Sequence, residues 1–192
     1  MSYYDFVSDD ILWPDSRGRD LIVWTIGHST HPVEEFLAML EARKVGLVAD
    51  VRTITRSRHV PQFNQEALAA SLDEAGIEYI HMKNLGGLRH PAKDSPNIGW
   101  RNAGFRGYAD YMQTEGFTRG MTELKSLAVV KTTAIMCAEG LPWRCHRSLI
   151  ADALLVEGFS VREIMPDGKD RPHPLTEFVR VSGKTITYPG ES

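Results

Sequence analysis

The stretch Thr132-Thr-Ala-Ile-Met-Cys-Ala-Glu-Gly-Leu-Pro-Trp-Arg-Cys-His-Arg-Ser-Leu-Ile-Ala-Asp-Ala-Leu-Leu155 decides how this chain is read. An apolar run, Thr132 to Met136, enters it. A run with Leu149, Ile150, Ala153, Leu154 and Leu155 at helical spacing leaves it. Between them lie both cysteines of the chain, Cys137 and Cys145, together with Glu139, Trp143, Arg144, His146 and Arg147. The order is strand, polar loop, helix. The helix is expected to open at Cys145 or His146 and to end at Gly158, a residue free to take a left-handed conformation.

Working outward, the same unit recurs. Leu21 to Ile26 is apolar on both faces, as in a buried parallel sheet, and the loop Gly27-His28-Ser29-Thr30 follows it. A helix then starts near Pro32, with Ser29 or Thr30 as its cap and Phe36, Leu37 and Leu40 as its inner face. Gly46 to Val51 is the second strand. Asn64 caps a helix through Leu68, Leu72 and Ala75 that Gly76 ends. Ile77 to His81 is the third strand. Met82 to Arg106 is a long irregular region, of a length that usually serves function. Helix is expected over Tyr108 to Gln113 and Phe117 to Leu127, broken near Gly116. Thr132 to Met136 and Val161 to Met165 complete five strands. The alternation predicts a single α/β domain, a mostly parallel five-stranded sheet flanked by helices in three Rossmann-like layers. The core spans residues 21–165. Residues 1–20 form an N-terminal tail, and residues 166–192 a short extended segment packing on the core, with an edge hairpin or flap near Phe178 to Tyr188.

Composition narrows the class. The chain has 192 residues, 42% hydrophobic and 24% charged, as expected for one globular domain. Its net charge of −3 gives no overall attraction to nucleic acid or anionic membranes. No apolar run approaches membrane-spanning length, and Met1 to Asp20 lacks a signal-peptide pattern. Two cysteines without such a signal predict free thiols and a cytoplasmic protein.

In a parallel sheet, ligands bind beyond the carboxyl ends of the strands. Those ends carry Gly27-His28-Ser29, then Asp50 and Arg52, then His81 and Asn84, then Cys137 and Glu139. Four polar or reactive clusters are therefore expected on one rim.

At these residues the chain resembles the family called domain of unknown function 488. The pieces are Thr25-Ile-Gly-His-Ser-Thr30, Asp50-Val-Arg52 with Ser57-Arg58, Phe63-Asn64, Gly76-Ile77-Glu78-Tyr79 with Leu85-Gly-Gly87, Tyr108-Ala-Asp-Tyr111, Met136-Cys-Ala-Glu139 and Cys145-His-Arg147. They span Leu21 to Tyr188. Thr55 stands where the family often has proline. The resemblance implies a compact α/β domain and supplies no reaction.

The chemistry is read from the residues. A cysteine at a helix start lies among free N–H groups and the positive helix end, which stabilise a thiolate. Cys145 is therefore the candidate nucleophile, with His28 or His146 as base and Glu139 orienting it. Cys137, closing a buried strand, reads as a small core residue. Glu139 suits an ion pair with Arg52 or Arg147 as well as it suits proton transfer. Arg52, Arg58 and Arg147, with Ser29 and His146, suit an anion, since guanidinium groups grip phosphate through paired donors. The candidate ligand is thus phosphate-bearing, a nucleotide or a nucleic-acid end, and the long loop can serve as a lid. Phosphatase-type chemistry does not fit, because six residues separate Cys137 from Arg144 where that cradle has five, and Glu139 would repel the phosphate. Cys137, Cys145, His146, Glu139 and His28 are metal-ligand types, but no CxxC or HxxxH spacing supports them, so neither metal nor cofactor is expected. Three readings stay open: an enzyme-like anion pocket, a non-catalytic nucleic-acid or nucleotide sensor, and a thiol redox or metal-binding protein.

Overall fold

The computed structural model describes residues 21–190. The expected tail, residues 1–20, lies outside the described residues, as do positions 191 and 192.

Strands β1 (Ile22–Gly27), β2 (Leu47–Asp50), β3 (Glu78–His81), β4 (Thr133–Cys137) and β5 (Ser160–Ile164) form a parallel sheet. A sixth strand, β6 (Asp170–Pro172), adds antiparallel to β5, giving the order β3-β2-β4-β1-β5-β6. The sheet therefore has one strand more than expected. β6 is short and ends in proline, so it carries no alternation to read. Two cross-strand ion pairs fasten it: Arg162 with Asp170, and Arg171 with Glu163 at 2.7 Å.

Helices cover both faces. α1 (Val33–Glu41) and α2 (Gln65–Glu74) lie on one side, where Phe36, Leu40, Leu68 and Leu72 pack with Ile26, Val48, Ala134 and Met136. α3 (Ala103–Tyr111), α4 (Glu115–Val130) and α5 (Arg147–Val156) lie on the other, packing with Val23, Ala49, Ile135 and Cys137. Successive strand residues face opposite layers, which is why Met136 and Cys137 fall in different cores. The three-layer α/β architecture agrees with the sequence.

Several local expectations change. Ser29 caps nothing: α1 starts at Val33 with Pro32 in the cap position, and Ser29 sits at φ +48°. Asn64 does hold the cap position of α2, but its side chain accepts the N–H of Ser57. The break between α3 and α4 falls at Met112–Thr114 instead of Gly116. Asn102 and Thr114 supply the two caps, and Gly116 sits inside α4 because Tyr111 Oη occupies its side-chain space. α5 starts at Arg147, with His146 at its cap. Gly76 and Gly158, both at positive φ, end α2 and α5 as expected.

The C-terminal segment folds into a small hairpin, β7 (Arg180–Ser182) and β8 (Thr185–Thr187), apart from the main sheet. Fully buried Tyr188 anchors it to the core, donating its hydroxyl to Asp152 of α5 at 2.8 Å. Asp152 also accepts from Thr176 and contacts His173, whose other ring nitrogen lies 2.7 Å from Glu163 of β5. This buried polar cluster ties the segment to helix and sheet. No helix among the described residues is long and apolar enough to cross a membrane.

Candidate functional site

Chain topology builds the site. β1 and β4 are neighbours, yet α1 leaves β1 toward one face and α5 leaves β4 toward the other. Such a point, where adjacent strands send their connections apart, opens a crevice at the carboxyl ends. Gly27 pairs with Cys137 there. The pairing continues into both loops, with His28 N donating to Cys137 O and Ser29 N to Ala138 O. Gly27 is required by close approach: a Cβ on it would lie 1.9 Å from the carbonyl oxygen of Glu139.

Two buried clusters form at this point. The first centres on Arg52, which is 5% exposed. Its guanidinium grips Asp50 through Nε and Nη2, the latter at 2.6 Å, and Nη1 donates to Phe63 O and to His28 Nε2. Tyr79 completes the cluster by donating to Asp50 at 2.7 Å. His28 stacks on Phe63, centroids 4.3 Å apart. The donors fix its tautomer. Arginine can only donate, so Nε2 of His28 accepts, and Nδ1–H donates to Ser29 O at 2.9 Å. Burial above all, with Arg52 adding to it, lowers the His28 pKa to about 4 against the opposing bond to Ser29. His28 is therefore neutral at pH 7, with both nitrogens committed.

The second cluster joins Cys137, Cys145 and His146. Their two sulfurs and one ring nitrogen all lie within 4.8 Å of one another, and Cys145 Sγ is 3.7 Å from His146 Nδ1. His146 Nε2 lies 3.0 Å from Val51 O. A carbonyl only accepts, so Nε2 carries the proton and Nδ1 turns its lone pair toward the thiols. Gly87 makes room for this ring, since a Cβ there would lie 2.8 Å from Nδ1. Gly87 is itself held by Thr53 Oγ1, which donates to its carbonyl. Burial by itself would raise the Cys145 thiol pKa. A bond from Cys137, the nearby Arg147 charge and the Arg147 backbone N–H outweigh it and bring it down to about 7. Cys137 is pushed up instead, by that same bond and by burial, and keeps its proton. Both cysteines are free.

The remaining candidates are placed differently from what their types suggested. Arg147 is fully buried and turns back on the loop, donating to Glu139 O and to Gly140 O. It thus braces the approach of that loop to Gly27. Glu139 is exposed, and its carboxylate makes no hydrogen bond or ion pair among the described residues, so it meets neither Arg52 nor Arg147. Arg58 is exposed in the loop after β2 and likewise makes no hydrogen bond or ion pair among the described residues. Ser29 is half-buried, and its carbonyl serves His28. The structure thus brings Cys145, His146 and Arg147 together, sets His28 and Arg52 in the adjoining cluster, and leaves Glu139 and Arg58 in solvent.

A family model, Domain of unknown function DUF488, matches residues 32–154, well over half of the chain. The chain belongs to this family. The matched span runs from α1 into α5, so this DUF488 domain has Arg52, Gly87, Cys137, Cys145 and His146 inside the match, while His28 and Ser29 precede it. No curated protein and no solved structure matches the chain.

Sequence reasoning missed Tyr79 and Gly87 as parts of the candidate site, and it discounted the Cys137 thiol as a core residue. Tyr79 and Gly87 stood inside the recognisable motifs, which was the available signal. Nothing in the spacing of Cys137 distinguishes a core cysteine from one whose sulfur meets another.

Proposed function

We propose that this protein works through a nucleophilic thiol, Cys145, with His146 as its base. The observation that carries the reading is the fixed tautomer of His146. Its lone pair at Nδ1 faces Cys145 Sγ at 3.7 Å while Nε2–H stays on Val51 O. The thiol proton passes to Nδ1, the sulfur forms a bond to the electrophilic atom of the ligand, and the leaving group takes the proton back. The start of α5 and the Arg147 backbone N–H favour negative charge on the sulfur. His28 is replaced as base in this reading, since neither of its nitrogens is available. Cys145 is itself only 4% exposed, and His146 beside it is half-buried, so the test uses a small reagent.

A phosphate-bearing ligand is the second reading. It is favoured by the buried guanidinium groups at the carboxyl ends of the strands and by the Arg147 Nε, which has no partner among the described residues, but a paired grip requires Arg52 to release Asp50 or Arg147 to release a carbonyl. The thiol reading requires no such exchange and ranks first.

The test is labelling of the full chain by iodoacetamide at pH 7, with Cys145 followed by mass spectrometry. Cys145 is expected to react faster than free cysteine, and His146→Ala to slow it about tenfold or more, within the range for general-base assistance. A wild-type rate at or below that of free cysteine would remove the reading.

A further inference from the structure

We propose that Cys137, Cys145 and His146 form a three-ligand site for a zinc-class divalent ion, and that an ion held there masks the Cys145 thiol. The site itself stands apart from the thiol reading; only the masking rests on it.

Three donors converge. Two sulfurs and an imidazole nitrogen lie within 4.8 Å of one another. A tetrahedral zinc ion, with bonds of about 2.3 Å to sulfur and 2.0 Å to nitrogen, places its ligand atoms roughly 3.5–3.8 Å apart. The Cys145 Sγ to His146 Nδ1 distance of 3.7 Å already matches. Closing the widest remaining separation takes a shift of no more than about 1 Å.

The histidine is prepared independently of the thiols. Its Nε2–H is fixed on Val51 O, leaving the lone pair of Nδ1 directed into the group. Metal-bound histidines are characteristically held this way, by a carbonyl or carboxylate on the far nitrogen. An internal disulfide between Cys137 and Cys145 would use both sulfurs and leave this lone pair without a role. An ion uses all three.

The framework is rigid. Cys137 ends a strand bonded on both sides, and its carbonyl also receives His28 N. Cys145 and His146 are held at the start of α5, where Arg147 is locked to the loop carbonyls. Thiolate and imidazole donors select zinc-like ions over magnesium or calcium. Two thiolates carry two negative charges, which a divalent ion neutralises in a buried setting. Among the described residues no fourth His, Cys, Asp or Glu joins the group. That count of three leaves one coordination position for water or a small ligand.

The experiment uses the full chain, reduced and stripped of metal, titrated with Zn2+ in equilibrium dialysis and with Co2+ followed by absorption. One equivalent should bind. Co2+ should give a thiolate-to-cobalt charge-transfer band, which Cys137→Ser, Cys145→Ser and His146→Ala each weaken or abolish in folded protein. A control without substitutions accompanies them: one equivalent of Zn2+ should slow iodoacetamide labelling of wild-type Cys145 by more than about tenfold. No stoichiometric binding, or binding that survives all three substitutions, overturns the site. Binding that leaves labelling unchanged overturns the masking. Fast labelling of the metal-free protein without zinc binding sinks the metal site and keeps the thiol reading. Slow labelling with an intact cobalt band does the reverse.

Discussion

His28 and His146 obey one rule and reach opposite ends. Each has a carbonyl on one nitrogen, Ser29 O for His28 and Val51 O for His146. The difference is what meets the other nitrogen: a guanidinium that can only donate, or a pair of thiols. His28 is thereby a fixed support for Arg52, and His146 keeps a usable lone pair. Gly87→Ala tests this at a single atom. The new Cβ would lie 2.8 Å from His146 Nδ1, closer than carbon and nitrogen settle, so the ring must shift and its Nδ1 contact with Cys145 is disturbed. Labelling of Cys145 by iodoacetamide should fall several-fold, while the urea midpoint moves by no more than about 1–3 kcal/mol in stability, the usual cost of overpacking. An unchanged labelling rate would show that the Nδ1 contact does not govern the thiol. At this scale the sequence displayed the identities of the reactive residues but not which donors they would meet. Arg52 looked like an anion grip and is spent on Asp50, two positions back. Glu139 looked as if it needed a partner, and the loop turns it into water instead.

At the scale of elements, α5 joins two polar clusters. Its first residues hold the thiol group, and Asp152 in its second turn holds the C-terminal segment through His173, Thr176 and Tyr188. Every residue from Arg147 to Leu154 is buried, so a carboxylate at 152 was itself a signal that a polar partner must arrive from elsewhere in the chain. His173 supplies it. Burial would lower its pKa, but the bonds to Asp152 and Glu163 prevail and raise it to about 9. Arg171 on Glu163 and the Tyr188 hydroxyl on Asp152 complete its charged and titratable surroundings. The native state thus binds a proton that the unfolded chain, titrating near 6.5, releases first. The stabilisation is complete below about pH 6.5 and is lost as pH rises through about 9, with a size on the order of 3 kcal/mol. His173→Gln should therefore be much less stable than wild type at pH 6, the gap narrowing toward pH 9 in urea unfolding. A gap of equal size at both pH values would mean that His173 is uncharged in the fold. The strand–helix alternation was legible because hydrophobic period reports it directly. β6 was not, because a three-residue strand ending in Pro172 has no period, and its ladder with β5 is reinforced by ion pairs that no apolar pattern reports.

At the scale of the whole molecule, the site is where it is because of strand order. The sequence showed reactive residues after each strand, which was enough to place them on one rim. It did not show that β1 and β4 would be neighbours, and that adjacency, with helices leaving to opposite faces, is what sets the His28 and Cys145 clusters side by side. Strand order depends on contacts between residues far apart in the chain, on which local periodicity is silent. The same order leaves the sheet with two unequal borders. On one side β6 is three residues long and ends in proline, a poor template for another strand. On the other, β3 runs from Glu78 to His81 with its outer edge unpaired among the described residues. Among the described residues, edge-to-edge assembly through the main sheet can thus use only β3, and using it on both copies is a two-fold contact that exhausts itself. Light scattering at rising concentration should find no species of this kind beyond a dimer, and a growing filament would contradict it. The lopsided sheet can be capped but not polymerised.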